Sequence, residues 1–503
     1  MNTRNSCRSR FVPFSLALGS LAAAPVACHY DASPSVVAAT PSSASPPETK
    51  RPAQLLDSDI AQAIQRHFKD QGLVRLNHVQ VTVTQGIAAL SGSVGDLLAE
   101  ERAVAIAGTL KGVRAVVDQL TVTPVARADE QLKTDVGRAF QLDIATRPYT
   151  IGVVTKDGKV TLSGTADSWQ QKTLFADVAK TVPGVKAIDN AVTVHYAMDR
   201  PGSEVATDVR QRIANDVWLN GNGLGVTVTG HTVHLLGLVD SFAQKVRARS
   251  DGWVAGVENV DDDGVLVDWY AQNDQRPVND LPPRSDAEIA QAVRDAFRFD
   301  PRLKTLVPQV VVQNGTVVLS GAADSSKARR AAEVDAKDTV GVWNVRDEVL
   351  VQPATKPTDP DIDRVAKRVL TEDLFLSDGK SIQVSTAKGK VALIGTVASG
   401  FERFDAIADV ESVPGVTEID DGLVVKRPPA EINASIQDRL FWDPMMERDR
   451  VTVSVAPDGV ATLTGTVDSW AEIKAATDDA LWGGATRVIN VLKLRNHPEV
   501  VAH

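Results

Sequence analysis

"DGKVTLSGTADSW" (residues 157–169) recurs far along the chain as "DGVATLTGTVDSW" (458–470), identical at nine of thirteen positions. The shared residues are Asp-Gly, Thr-Leu, Gly-Thr and Asp-Ser-Trp. An active site written twice would carry reactive groups in both copies. These residues bend and cap a backbone instead. Asp157-Gly158 suits a two-residue hairpin turn, which requires positive φ. Thr161 and Leu162 alternate as on a strand, and Ser168 stands three residues before Gln171 in the pattern of a capping box.

Working outward from Gly164 in "LSG", counterparts stand at Gly92, Gly237, Gly321, Gly395 and Gly465. Six residues earlier lie Gly86, Gly158, Gly315, Gly389 and Gly459, with Gly230 shifted by one in the third copy. A third glycine follows at Gly112, Gly184, Gly256, Gly341, Gly415 and Gly484. The chain is therefore six tandem units. Each opens on an amphipathic helix whose apolar residues recur every four positions, as in Ile60-Ile64-Phe68, Leu132-Val136-Phe140, Ile289-Val293-Phe297 and Ile432-Ile436-Leu440. An alternating run follows, such as "QVVVQ" (309–313) or "VTVSV" (451–455), then a turn and a second strand. Asp157-Gly158, Asn314-Gly315 and Asp458-Gly459 read as two-residue turns. The second strand is expected to end at its "LxG" glycine, at a bulge or close backbone contact. A second helix starts at Ser168, Ser241, Ser399 or Ser469, each with Gln or Glu three residues on. The third glycine stops that helix and a last strand completes the unit. The expected fold class is α+β: six small α-β-β-α-β modules, each a three-stranded sheet with two helices on one face.

This unit, with "DG-x-V-x-LSG" before a helix and "V-x-GV-x-x-V-x-N" after it, resembles the BON domain. The resemblance covers nearly all of residues 57–495 and is weakest in the third unit, where the turn and "LLG" depart from the pattern. Module boundaries are expected at 57–124, 129–196, 202–269 (divergent), 285–352, 358–427 and 429–495. The resemblance implies a periplasmic or outer-membrane protein that binds phospholipid and supports envelope integrity under stress. Many such proteins have two copies of the unit; this chain has six.

The remaining features fit an exported, non-enzymatic protein. Arg4, Arg8 and Arg10 precede the apolar run "FVPFSLALGSLAAA" (11–24), which is shorter than the roughly 20 residues a spanning helix needs. No other stretch approaches that length, so no transmembrane helix is expected in the mature chain. "PVAC" (25–28) resembles a lipobox and would place a lipid on Cys28; cleavage near Ala24 or Ala27 is the alternative. Residues 1–28 are read as this signal and 29–56, rich in Ser, Pro and Ala, as a disordered tether. Both cysteines, Cys7 and Cys28, lie in the leader, so the body has no thiol chemistry. A net charge of -10 argues against a nucleic-acid partner.

No motif nominates a catalytic residue, a metal or a cofactor. "HTVH" (231–234) puts its histidines on opposite strand faces. "SDGKS" (377–381) lacks the first glycine of a phosphate loop. "GNGLG" (221–225) is a loop insertion. The candidates for lipid contact are Trp169, Trp218, Phe299, Trp442 and Trp470, with Lys327, Arg329 and Arg330 as a basic run, since tryptophan favours a lipid interface. Lys245, Arg247 and Arg249 form a similar run. Residues 202–269 hold ten acidic residues against five basic ones, with "DDD" (261–263) among them, so the third unit is poorly placed for anionic lipid. The Pro-rich linkers at 270–285 and 351–360 imply some flexibility between units. The expected partner is membrane phospholipid or an envelope protein. A structural scaffold without lipid binding is the competing reading.

Overall fold

The structure, a computed structural model, describes residues 55–70, 78–196, 200–219, 223–269, 284–304, 308–353, 356–373, 376, 378–446, 450–467, 470–495 and 497–501. Cys28, the apolar leader and nearly all of the tether therefore lie outside the described residues. So do most of the 270–285 linker and the Ser469 cap.

The first helices are Asp57–Asp70, Asp129–Leu142, Gly202–Asn215, Asp286–Phe299, Asp359–Glu372 and Pro429–Trp442. Each buries the stripe that its four-residue spacing sets out, including Ile60, Ile64 and Phe68 in the first and Ile432, Ile436 and Leu440 in the last. In every module the middle strand is the second one. It runs antiparallel to the first and parallel to the third, as in Gln80–Thr84, Ile87–Val94 and Ala115–Val122. A parallel partner needs a crossover, which the second helix supplies. Alternate side chains of the middle strand, such as Ala88, Leu90 and Val94, enter the core beneath both helices. In the sixth module His497–Val501 adds a fourth strand beside Arg487–Leu494.

The "LxG" glycine does not end the strand. Ile87–Val94 runs two residues past Gly92, still paired with the third strand, while pairing with the first strand stops at Ser91. At that point the chain entering the first strand passes so close that a Cβ on Gly92 would lie 1.8 Å from the His78 carbonyl oxygen. Only the second module breaks here, into Lys159–Ser163 and Thr165–Ala166.

The hairpin turns divide the copies. In modules one, two, four and five both turn residues have positive φ, as at Asp157 (53°) and Gly158 (79°). An aspartate near the start of the first helix caps those turns. Asp129 accepts from the backbone N–H groups of Asp157 (2.9 Å) and Gly158 (3.1 Å). Asp57, Asp286 and Asp359 accept from the equivalent pairs. The third and sixth modules begin that helix with Gly202 and Pro429 and lack the clamp. Asp458-Gly459 is accordingly not a two-residue turn. Ala456 donates to Val460, enclosing a three-residue loop of Pro457, Asp458 and Gly459 in which only glycine has positive φ. Pro457 has no N–H to close a two-residue turn against Val460, so Ala456 makes that bond instead.

The modules are not separate beads. Phe242 and Trp442 belong to the first module's core cluster, Leu97 to the second's, and Val217 and Val340 to the sixth's. Backbone bonds join modules directly: Val217 N–H to Asp338 O (2.8 Å), Val340 N–H to Asn215 O (2.9 Å) and Lys111 N–H to Trp442 O (2.7 Å). The inter-unit flexibility implied by the linkers is thus opposed by packing between modules distant in sequence.

Candidate functional site

The second helices do the joining. Ser168, Ser241 and Ser399 cap theirs, accepting from the N–H of Gln171, Gln244 and Glu402. The return bond comes from the residue before the cap: Asp167, Asp240 and Ala398 donate to those same side chains. A helix begun this way has one side on its own sheet and the other against neighbouring modules. Leu97–Thr109 therefore buries Glu101 and Arg102 as well as its apolar residues.

Charge pairs fill these junctions. Lys180 of the second module lies 2.6 Å from Glu101 of the first and 3.0 Å from its own Asp177. Burial pushes Glu101 up to about 8 against the pull of Lys180. Arg247 pairs with Asp216 in the third module and reaches Asp338 of the fourth at 3.1 Å. Lys474 of the sixth approaches the same Asp338 (3.4 Å) and lies 5.1 Å from the Trp218 ring centre. Burial lifts Asp216 to about 7, with Arg247 opposing. Arg102 lies over the Phe401 ring of the fifth module, 3.1 Å from its centre, beside Trp482 of the sixth.

Most of the residues singled out for lipid contact are engaged here instead. Trp169 stacks on Trp253 of the third module, centres 4.8 Å apart and planes 6° from parallel. Trp442 is only 4% exposed, seated in the first module's core. Trp218 packs against the sixth module's core, and Phe299 packs against the third's under the Arg212 guanidinium (4.4 Å). Lys327 pairs with Asp143 of the second module (2.8 Å) and Arg330 with Glu411 of the fifth (3.2 Å). Arg329 holds Asp347 on its own third strand (2.6 Å). Trp470 opens its helix, but its side chain lies outside the described residues. The physical reason is common to the set: amphipathic and cationic side chains that suit a lipid interface suit a half-buried protein interface equally. Of the acidic run in the third module, Asp261 meets His234 (2.9 Å) and Asp262 meets Arg249 (2.7 Å).

Two repeated carboxylate positions escaped the sequence reading. One is the turn clamp, recoverable from the aspartate that precedes each paired turn by 28 or 29 residues. The other follows the first helix: Asp143, Asp216, Asp300, Asp373 and Asp443 each accept from backbone two or three residues on, folding the chain away from the helix end. It stands three residues after the last apolar residue of the stripe.

Among the described residues no helix covers the opposite face of each sheet, and large aliphatic side chains stand there. Leu236 and Leu266, Val311 and Leu350, and Ile394 and Val424 are exposed in modules three, four and five. In the third and fifth modules the arrangement is the same. Leu236 and Ile394 sit opposite Gly264 and Gly422, with Leu266 and Val424 two positions further along the third strand. Among the described residues no group of His, Cys, Asp or Glu could hold a metal ion, and no helix is long and apolar enough to cross a membrane.

The chain is 29% identical over 141 residues to osmotically-inducible protein Y of Escherichia coli (strain K12), spanning 27% of this chain and 70% of that protein. Two solved structures of CdsD, a structural protein of the type III secretion system of Chlamydia trachomatis, match 42% and 45% of the chain at 16% identity, with TM-scores of 0.12. The BON domain family matches residues 56–124, 128–196, 202–267, 285–353, 358–427 and 429–496. Six helix–strand–strand–helix–strand units, all matching one family, make this chain a member of the BON domain family built from six tandem copies.

Proposed function

We propose that the chain is an exported, non-catalytic protein of the bacterial envelope that acts under osmotic stress and works through the outward sheet faces of its six modules. The observation that carries this reading is the division of each module. Its helix face is consumed by neighbours, and its sheet face keeps exposed aliphatic side chains free to meet a partner. Similarity to an osmotically inducible protein supports the stress role, and the apolar leader supports export, with Cys28 as the residue to carry a lipid. The partner is a phospholipid surface or an envelope protein. Flotation of the unlipidated protein with neutral and anionic vesicles at low salt separates these. Co-flotation supports lipid contact, and its absence from both vesicle types removes it. Mass spectrometry of the mature N-terminus tests the anchor, which a start at any residue other than Cys28 eliminates.

A second reading, a structural scaffold without lipid binding, is favoured by the internal engagement of Trp169, Trp442, Lys327 and Arg330. Retention of the protein in an envelope fraction stripped of lipid by detergent would support it.

A further inference from the structure

We propose that the first strand of the fourth module, Gln309–Gln313, is a dimer seam that pairs edge to edge and antiparallel with the same strand of a second copy of this chain. The stretch reads "QVVVQ" and is the same in both directions. It stands at the edge of its sheet, with its own middle strand on one side. The two-residue turn at Asn314-Gly315 closes on Gln313 and Thr316. Gln309, Val311 and Gln313 therefore bond inward, and the N–H and C=O groups of Val310 and Val312 point outward from the sheet edge. Among the described residues nothing bonds those outward groups.

The other edges are plugged or interrupted. On every third strand a side chain takes up a backbone donor: Asp118, Asn190, Asp261, Asp347, Asp421 and Asn490 each accept from the N–H two residues on. In the second module the N–H groups of Ala191 and Thr193 bond the middle strand, so the Val192 N–H held by Asn190 faces the edge. Among first strands, the Val226 carbonyl of the third module accepts from Arg210 (2.8 Å) and the Val453 carbonyl of the sixth from Asn433 (3.2 Å). Gly152 and Lys156 bound the second module's strand, and hydroxyl residues interrupt "QVTVT" (80–84) and "QVSTA" (383–387). Charges and occupied edge groups are means by which sheets discourage edge pairing. Gln309–Gln313 has neither, and sets three consecutive valines between its glutamines.

The symmetry of the stretch selects a second copy as the occupant. A two-fold axis through Val311 sets Val310 of each chain against Val312 of the other, and each such pair exchanges both backbone bonds. Val311 meets its own copy at a non-hydrogen-bonded position, where facing side chains stand closest. Each Gln309 faces a Gln313, and a side-chain amide both donates and accepts. Val311 is 50% exposed and stands opposite half-buried Val318 on the outward face. The seam thus joins two apolar rows into one across a continuous sheet.

The experiment is sedimentation and amide exchange of the full, unlipidated chain over a dilution series. Expected is a reversible monomer–dimer equilibrium in which exchange at Val310 and Val312 slows as concentration rises, while Val311, already bonded to the middle strand, keeps its rate. Val311→Lys sets like charges face to face on the axis and should weaken association about tenfold, with unfolding unchanged. Val311→Glu should do the same, and an equimolar mixture of the two variants should dimerise again, because position 311 faces itself. A chain that stays monomeric at every concentration would overturn the seam. So would a dimer that Val311→Lys leaves intact, which would put the interface elsewhere, or a mixture of the two variants that stays monomeric. If the variants do not fold, the wild-type exchange pattern decides: protection that grows equally at all five residues, or at none, sinks the proposal.

Discussion

The helix face and the sheet face of one module treat side chains in opposite ways. The helix face buries Glu101, Lys180, Arg102 and Asp405 and half-buries Arg247 between modules. The sheet face leaves Leu350 and Ile394 more than half exposed. Burial alone would sort these residues the other way round. The difference teaches that the helix faces have been specified for particular neighbours. A buried ion pair adds little net stability over an apolar contact, but a wrong partner leaves a charge unpaired, which disfavours alternative arrangements. Six copies of one fold, all with similar apolar stripes, need such labels if each is to find its own place.

Breaking one label should give the largest effect. Arg247→Met leaves Asp216 and Asp338 facing each other across the junction of modules three and four, and should cost about 3–5 kcal/mol in chemical denaturation. Adding Asp216→Asn should recover part of that loss. If Arg247→Met alone is neutral, the charges are decoration and the contrast between the faces has no energetic basis.

Next in size is the stacked pair between modules two and three. Trp169→Ala removes the contact with Trp253 and should lose about 0.5–1.5 kcal/mol beyond the buried area. A lipid-facing Trp169 would behave differently, with unchanged stability and weakened vesicle binding. One denaturation curve and one flotation run distinguish the two.

A smaller, local effect separates the two copies of the repeated stretch. The N–H groups of Gly158 and Asp157 hold the Asp129 carboxyl below its ordinary range. The clamp is therefore present above the usual aspartate pKa and is lost as pH falls through the lower folded value. Asp129→Ala should speed amide exchange at Asp157 and Gly158 and leave Gly459, in its unclamped loop, unchanged. Equal acceleration at both turns would mean the aspartate acts on global stability instead.

These contrasts also mark how far the sequence could be read. The three glycines, the four-residue stripes and the serine caps report local backbone geometry, and local geometry repeats with the module. The six-fold plan was legible for that reason. What Trp169 or Lys327 touches was not, because the partner is set by tertiary packing and carries no periodic signal. Lys327 meets Asp143 across 184 residues, and Gln170 bonds the Trp253 carbonyl across 83. A basic run on a helix looks the same in sequence whether it faces water, lipid or another module's aspartate. The Asp129 clamp lies between these cases. It stands 28 or 29 residues before the turn in four modules and is missing from the two whose first helices begin with Gly202 or Pro429. Asp458-Gly459 misleads because Pro457 beside it has no N–H to close a two-residue turn.

The smallest effect on stability should come from the sheet face, and its smallness is the point. Leu350→Thr with Ile394→Thr and Val424→Thr replaces exposed aliphatic side chains with polar ones suited to strands, so the change should stay within about 0.5 kcal/mol per site. If these faces meet a phospholipid surface or an apolar patch on an envelope protein, the triple variant should lose that association while unfolding at the wild-type denaturant concentration. Loss of both together would mean the sheet faces are part of the fold. Retention of both would leave these aliphatic residues without a role in binding and move the search to the module edges. The helix faces cannot serve as that control, because any substitution there changes folding and binding at once. On the outward face an exposed aliphatic side chain can be replaced while the six-module body stays intact.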